Sequence, residues 1–381
     1  MGVTESLIPR LPRTVRPVAL SDLEPMPDRS ARGIPILPID CLILSNPAFP
    51  CTAYAIQSYL DQGATMNATA ARTESAQEKQ AEILRAELTS RIDAIVHIEG
   101  EQATAIHGFS LYKRSAPTPC TSATYLPRLI VFLQGEKQVS LGGETYVCGG
   151  DSFLLTSVGL PVVSQVTIAS PRKPILGFLL HLDMPLIREI LSQQEFPPLA
   201  SSSASRGMAV GTTTPEFLAP CQRLLNLLDT PRDIPFLSPL IQREIMYRLL
   251  RSPQGVHLRS IASLGEQSHR TARAVDWLRA NFTKPLRVED LAGIAHMGVS
   301  TFHHQFRSLT AMSPLQYQKR LRLHAARERM LNNGMDAASA AFEVGYESAS
   351  QFNREYSRLF GQPPMRDIKT RLLDNTAFQR D

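Results

Sequence analysis

Ten polar side chains near the end of the chain fall in two sets fifty positions apart. Ser300, Thr301, His303, His304 and Arg307 form the first; Ser350, Gln351, Asn353, Arg354 and Arg358 form the second. No Ser/His/Asp pattern stands out in either set. Their donors and acceptors suit base edges and phosphates instead. Arginine pairs bidentately with guanine, asparagine or glutamine with adenine, and hydroxyls and cations hold the backbone. These ten residues are the candidate DNA contacts.

Apolar residues at helical spacing must position them. Phe302, Phe306 and Leu309 stand at i, i+4 and i+7, and Phe352, Tyr356 and Leu359 repeat the pattern. A short helix is expected before each, over Glu289–His296 and over Asp336–Val344, with Asp336 as N-cap. The turns are Met297-Gly298-Val299 and Gly345-Tyr346-Glu347, and positive φ is expected at Gly345. The two copies stay in register through Ser313-Pro314 and Pro363-Pro364, which reads as a duplicated helix-turn-helix. Between them, Ser313 and Pro314 start a helix that runs to Leu331, and Asn333-Gly334 stops it. At ~1.5 Å per residue it spans roughly 25–28 Å, which holds two recognition helices about one DNA turn (~34 Å) apart. An ordinary bundle with solvated polar stripes is the bland alternative. Charge argues against it: residues 270–381 carry 17 Lys and Arg against 11 Asp and Glu, while the remainder carries 23 against 24. Basic charge concentrated on a helical third is the footprint of phosphate binding.

With these residues in place, Leu286 to Arg366 resembles the AraC-type DNA-binding domain. The most specific part is Gly345-Tyr346-Glu347-Ser348, then Phe352, Tyr356 and Phe360-Gly361-Gln362-Pro363-Pro364. The family's second unit commonly reads Gly-Phe-x-Ser, then Phe, Arg and Phe, then Phe-Gly-x-Ser-Pro. Tyr346, Tyr356 and Pro363 are conservative departures. In the first unit Gly298 replaces a frequent serine cap and His304 a frequent arginine, so no base preference of relatives carries over.

The chain has 381 residues, enough for two domains and more. It has no run of 18 apolar residues and no basic-then-apolar leader, so no membrane partner is expected and a cytoplasmic, nucleoid-associated location is. Cys41, Cys51, Cys120, Cys148 and Cys221 are scattered without a CxxC, which fits a reducing compartment. Cys120 or Cys148 as a sensor thiol stands against an inert cysteine. Residues 1–75 are Pro-rich and read as a disordered extension, or as sequence ahead of a true start at Met66.

Residues 76–255 form a second unit. Ala76–Val96 is an amphipathic helix, with Ile83, Leu84, Leu88, Ile92 and Ile95 on one side. Short β-rich pieces follow between Ile106 and Asp183, broken at Gln134-Gly135-Glu136, Gly142-Gly143 and Gly149-Gly150-Asp151. Such spacing suggests a small antiparallel barrel or jelly roll. This stretch resembles the N-terminal cupin-like domain of one AraC subgroup, through Gln134-Gly135-x-Lys137, Leu141-Gly142-Gly143-Glu144-x-Tyr146 and Ser157-Val158-x-Leu160-Pro161-Val162. A metal-dependent cupin needs clustered His and carboxylate. Only His107 and His181 occur here, far apart in sequence, so neither a metal nor a cofactor nor a catalytic residue is assigned. Inward positions Val131, Leu133, Tyr146, Phe153, Val163 and Phe178 are candidates to line an effector pocket, or to be filled core. Phe217, Leu218, Cys221, Leu224, Leu225 and Leu228 make one helical stripe, and Leu240, Ile241, Ile245, Leu249 and Leu250 another. The resemblance implies that such helices support a dimer; burial against the barrel is the alternative. Ser252-Pro253-Gln254-Gly255 ends this unit, and 267–370 is the DNA-binding domain, containing the lone Trp277.

The expected fold class is α+β: an N-terminal cupin-like β-barrel or jelly roll with a helical dimerisation segment, then an all-α double helix-turn-helix domain. The expected function is a sequence-specific transcription regulator. Its partners would be double-stranded DNA, an unknown small-molecule effector and RNA polymerase, with a homodimer as one assembly open to it. The resemblance favours an activator. Two other classes compete: a cupin-type enzyme with appended DNA-binding helices, and an architectural DNA binder that senses nothing.

Overall fold

Leu129-Ile130-Val131-Phe132-Leu133 has no polar residue to turn toward water, so its strand needs cover on both faces. In the computed structural model, which describes residues 75–197 and 206–377, both covers are present. Readings placed on residues 1–74, including the Met66 start, lie outside the described residues. The run forms β4 (Arg128–Gln134) at the centre of a six-stranded antiparallel sheet. The order is β1 (Gly100–Ala103), β2 (Phe109–Arg114), β9 (Ile175–His181), β4, β7 (Ser152–Thr156) and β10 (Met208–Thr212). A second sheet orders β3 (Thr121–Tyr125), β8 (Leu160–Ile168), β5 (Glu136–Leu141) and β6 (Glu144–Cys148).

Alternate residues of β4 go to different cores. Ile130 and Phe132 pack against Tyr125, Val139, Leu141, Cys148 and Val162 in the space between the sheets. Leu129, Val131 and Leu133 face the other way, with Phe153, Phe178 and Leu180, under a layer of helices. That layer is α1 (75–95), α3 (Pro215–Asn226) and α4 (Ile234–Arg251), with α2 (Met184–Gln193) beside them. Ala81, Leu84, Leu88, Ile92 and Val96 are the buried stripe of α1 and the turn after it. Ile83 and Leu240, expected in the stripes, are instead 44% and 56% exposed.

The C-terminal third is all helix: α5 (Gly255–Ala262), α6 (Gln267–Ala280), α7 (Val288–Ile294), α8 (Val299–Thr310), α9 (Pro314–Asn333), α10 (Ala337–Glu343), α11 (Ala349–Phe360) and α12 (Pro364–Ala377). The α9 start follows its sequence signals, with Ser313 and Gln316 forming a capping box and Pro314 at N1. Gly334 ends it in the left-handed conformation. Helix α5 and strand β10 answer to no sequence expectation.

The two helix-turn-helix units differ in their cores. Phe302, Phe306, Leu309 and Tyr317 of the first join the apolar cluster that fills the space between the sheets. Phe352 and Tyr356 of the second belong to a separate cluster with Met330, Ala340, Val344 and Ile368. The first unit therefore docks on the sheet domain. Tyr317 donates from Oη to the carbonyl of Gly159 at 2.6 Å. Gly207 N donates to Leu309 O at 2.8 Å, and Arg206 Nη1 to Arg307 O and Ser308 O at 3.2 and 3.0 Å. Arg206 is itself ion-paired to Glu144 beside the β5–β6 turn. In that turn Gly142 has φ +60°, and a Cβ there would lie 2.3 Å from Ala311 O. No larger residue fits between the β5–β6 hairpin and the end of α8.

Candidate nucleic-acid interface

Each recognition helix carries its polar residues opposite its apolar stripe. In α8, Phe302 and Phe306 are fully buried while Ser300, Thr301, His303, His304 and Arg307 are exposed. In α11, Phe352 and Tyr356 are fully buried while Gln351, Asn353, Arg354 and Arg358 are exposed and Ser350 lies at the same open end of the helix. Gln351 donates from Nε2 to Glu355 Oε1 at 3.1 Å. Among the described residues, the other nine side chains make no hydrogen bond or ion pair, which leaves them available to a ligand.

The helix starts differ. Gly298 is the N-cap of α8 and offers no side chain, whereas Ser348 caps α11 by accepting from Gln351 N at 3.3 Å. Before α8 the positive φ falls on His296 at +51°, not on the glycine of the expected turn. Before α11 it falls on Gly345 at +94°, as expected. Asp336 caps α10 by accepting from Ala338 N and Ser339 N.

Helix α9 holds the second unit through groups that the sequence did not single out. Arg322 donates to four carbonyls, those of Phe282, Gly345, Thr283 and Lys284, at 2.7–3.1 Å. It thereby ties the turn before α11 to the loop after α6. Lys319 Nζ donates to Glu355 at 2.8 Å, fixing the flank of α11. Twenty residues at ~1.5 Å make α9 about 30 Å long, close to one DNA turn. Nothing in the polar or apolar pattern marked Arg322, because its partners are backbone carbonyls distant in sequence.

His324 of α9 is buried edge-on against Phe360, with ring centroids 5.7 Å apart. Burial, helped by the charges of Arg327 and Arg320, pushes its pKa down to about 4. The unfolded chain titrates near ~6.5, so it takes up a proton first as pH falls. The stability that this neutral histidine contributes is whole above pH ~6.5 and drains away down to about pH 4. His324→Phe is expected to flatten that limb of a melting-temperature profile. An unchanged slope between pH 6.5 and pH 4 would show that another group carries it.

In the sheet domain, Val131, Leu133, Phe153 and Phe178 do not face the space between the sheets. They are core residues under the helices, so the inward expectation fails for these four. Val163 is half-buried on the outer face of β8, and Tyr146 packs at the edge of the inter-sheet core. Pairing of β2 with β9 brings His107 and His181 to neighbouring strand ends, both exposed. Among the described residues no group of three or more His, Cys, Asp or Glu is placed to hold a metal. Burial pushes the Cys148 thiol up to about 12, against a sensor role. Cys120 is exposed with Sγ 3.2 Å from Gln165 Oε1. No described helix is long and apolar enough to cross a membrane.

Two family models match the chain in the two parts of this architecture. Residues 105–257 match the family model described as AraC-type transcriptional regulator N-terminus, and residues 291–369 match a helix-turn-helix domain model. The chain is 29% identical over 161 residues to the HTH-type transcriptional regulator ExsA of Pseudomonas aeruginosa, covering 42% of this chain and 57% of ExsA. It is 29% identical over 107 residues to the HTH-type transcriptional activator RhaS of Yersinia pestis, covering 28% of this chain and 39% of RhaS. The chain thus spans about half or less of the length of these relatives. Among solved structures, ToxT from Vibrio cholerae aligns over 68% of this chain and 97% of its own, at 12% identity and a TM-score of 0.47.

Proposed function

The chain belongs to the AraC-type transcriptional regulators, and from that premise we propose that it reads a two-part DNA site under the control of a small-molecule effector, most simply as an activator. The observation that carries the DNA half is the pair of packed recognition helices, each presenting five polar residues on the side away from its core. Ser300, Thr301, His303, His304 and Arg307 contact one half-site in this reading, and Ser350, Gln351, Asn353, Arg354 and Arg358 the other. Gln351 must exchange Glu355 for a base edge to take part.

Control runs through the docking of the first unit. An effector that prefers one arrangement of the sheets shifts the population in which Arg206, Gly142 and Tyr317 hold the end of α8 and the start of α9. Val131, Leu133, Phe153 and Phe178 serve this reading as the packed support of the sheet, and Tyr146 as an edge of the interior. A homodimer through α4 fits its exposed Phe236 and Leu240, one turn apart and 75% and 56% accessible. RNA polymerase is the partner an activator requires.

The test is to recover the genomic fragments that the purified chain retains at physiological salt. A shared motif with two half-sites about one helical turn (~34 Å) apart is expected. Retention without a motif would favour an architectural binder. Arg354→Ala is expected to cost about 1–3 kcal/mol on the recovered site and to relax preference at one base. An equal loss on random DNA would reduce Arg354 to a phosphate contact.

A further inference from the structure

Helix α9 carries five Lys and Arg side chains, and four of them have acceptors. Lys319 donates to Glu355, Arg322 to backbone carbonyls, Arg327 to Asp367 and Arg329 to Glu343. Among the described residues Arg320 has none. It is half-buried, and burial pushes its pKa below the ordinary value, yet a guanidinium stays charged at neutral pH. A cation partly stripped of water with no acceptor in return works against the fold.

Arg320 lines a cavity of about 490 Å³ between α9 and α11, and so do Lys319 and Arg358. The carboxylate in that lining, Glu355, is already occupied. Its Oε1 accepts from Lys319 Nζ at 2.8 Å and Gln351 Nε2 at 3.1 Å, and its Oε2 from Tyr346 Oη at 2.8 Å. Lys319 keeps further donors beyond the one given to Glu355. Arg358 is exposed and makes no hydrogen bond or ion pair among the described residues. Three cations against one carboxylate leave the lining net positive. Leu323 and Leu359 add apolar wall. The cavity stands at the C-terminal ends of both reading helices: Ala311 and Met312 follow α8, and Arg358 and Leu359 are in the last turn of α11. Recognition helices meet base edges with their N-terminal residues. The charge on Arg320 is thus placed for a separate small anion and not for the DNA backbone.

We propose that Arg320, Lys319 and Arg358 form a site for a phosphate monoester inside the DNA-binding domain, between α9 and α11. Two guanidinium forks and an ammonium match the several acceptors of a dianionic phosphate. The volume is more than a bare phosphate fills and lies within the ~300–1,000 Å³ of small-molecule sites. Leu323 and Leu359 suit the organic body of the ester. Arg358 belongs also to the α11 set read above as DNA contacts. An ester that holds it takes it from the second half-site, so ester and DNA compete for one arginine, each weakening the other. That consequence rests on the DNA reading above; the site itself does not, and it is distinct from the sheet-domain effector.

The full chain is titrated by calorimetry, without DNA, with ribose 5-phosphate and phenyl phosphate. Ribose and phenol serve as uncharged counterparts and sodium benzoate as a monoanion. At least one ester is expected to bind while its counterpart does not, and Arg320→Met is expected to weaken that binding about tenfold. Arg320→Lys should retain part of it. Arg320→Met should bind a random DNA duplex as the parent does, and a loss there would overturn the proposal by reassigning Arg320 to DNA phosphates. Should Arg320→Met fail to fold by circular dichroism, Arg358→Gln is expected to weaken ester binding severalfold. The proposal is also overturned if no ester binds, if ribose or phenol binds as well as its ester, if benzoate binds more tightly than either ester, or if the variants bind undiminished. Saturating ester should weaken affinity for the recovered DNA site severalfold. Unchanged affinity would overturn the competition and leave the site standing. Ester binding by a chain that retains no specific DNA would sink the DNA reading alone.

Discussion

Gly345→Val is expected to destabilise the second helix-turn-helix by about 2–6 kcal/mol, the sum of a backbone cost and a packing cost, and to abolish its share of DNA affinity. Gly345 has φ +94°, where a β-branched residue pays ~1–3 kcal/mol in backbone strain. A Cβ there would also stand 2.1 Å from Thr283 O and 3.0 Å from Arg322 Nη2, an overpacking worth another ~1–3 kcal/mol. Relief requires the loop after α6 to move away, and that loop is held by Arg322 along with the Gly345 carbonyl. The turn, the loop and the arginine must therefore shift together. The second unit has its own core, while the first shares that of the sheets. The damage should accordingly appear as fast hydrogen exchange over α10 and α11 with α8 still protected. A urea-unfolding stability within about 0.5 kcal/mol of the parent, the range of an inconsequential surface change, would remove the strained-turn argument.

Gly345 was legible in the sequence because its requirement is local: a turn after a short apolar helix, followed by a serine cap. The same holds for the stripes Phe302-Phe306 and Phe352-Tyr356, the Ser313-Pro314 start and the Asp336 cap. What failed was parity. Val131, Leu133, Phe153 and Phe178 sit on strands apolar at nearly every position, so no alternation tells which residues face the second sheet and which face the helices. The sharing of one core between the sheets and α8 was equally hidden. It depends on Tyr317 reaching Gly159, and on Gly207 reaching Leu309, across long sequence separations. Lys137 stands in the sequence as one letter of a family pattern, and only pairing in three dimensions brings Tyr112 and Tyr125 to it.

Asp367→Ala tests the least legible part of the second unit. Asp367 Oδ2 accepts from Arg327 Nε and Tyr356 Oη, both at 2.8 Å, and Oδ1 accepts from Arg327 Nη2 at 2.7 Å. Arg371 Nε adds a third donor group at 3.2 Å. The Arg327 and Asp367 side chains are only 7% and 9% exposed, and Arg327 stacks 4.1 Å from the Phe360 ring centre. Removing the carboxylate leaves a desolvated guanidinium and a buried phenol without their acceptor, a loss of about 3–5 kcal/mol. The double variant Arg327→Met with Asp367→Leu deletes both charges, and is expected to recover most of that loss. If it is as unstable as the single change, the uncompensated charge is not the cause. Acid provides an independent check. Burial acts to raise the Asp367 pKa, but the donors Arg327 and Tyr356 and the neighbouring charges hold it below the usual carboxylate value. Its contribution is therefore present above the unfolded value of ~3.9 and is lost as pH falls through the folded one. The His324 limb ends at about pH 4, roughly where the Asp367 limb begins. Asp367→Ala should thus shrink the loss below pH ~4, to which Glu355 and Asp336 also contribute, while the decline above it survives as long as His324 is present.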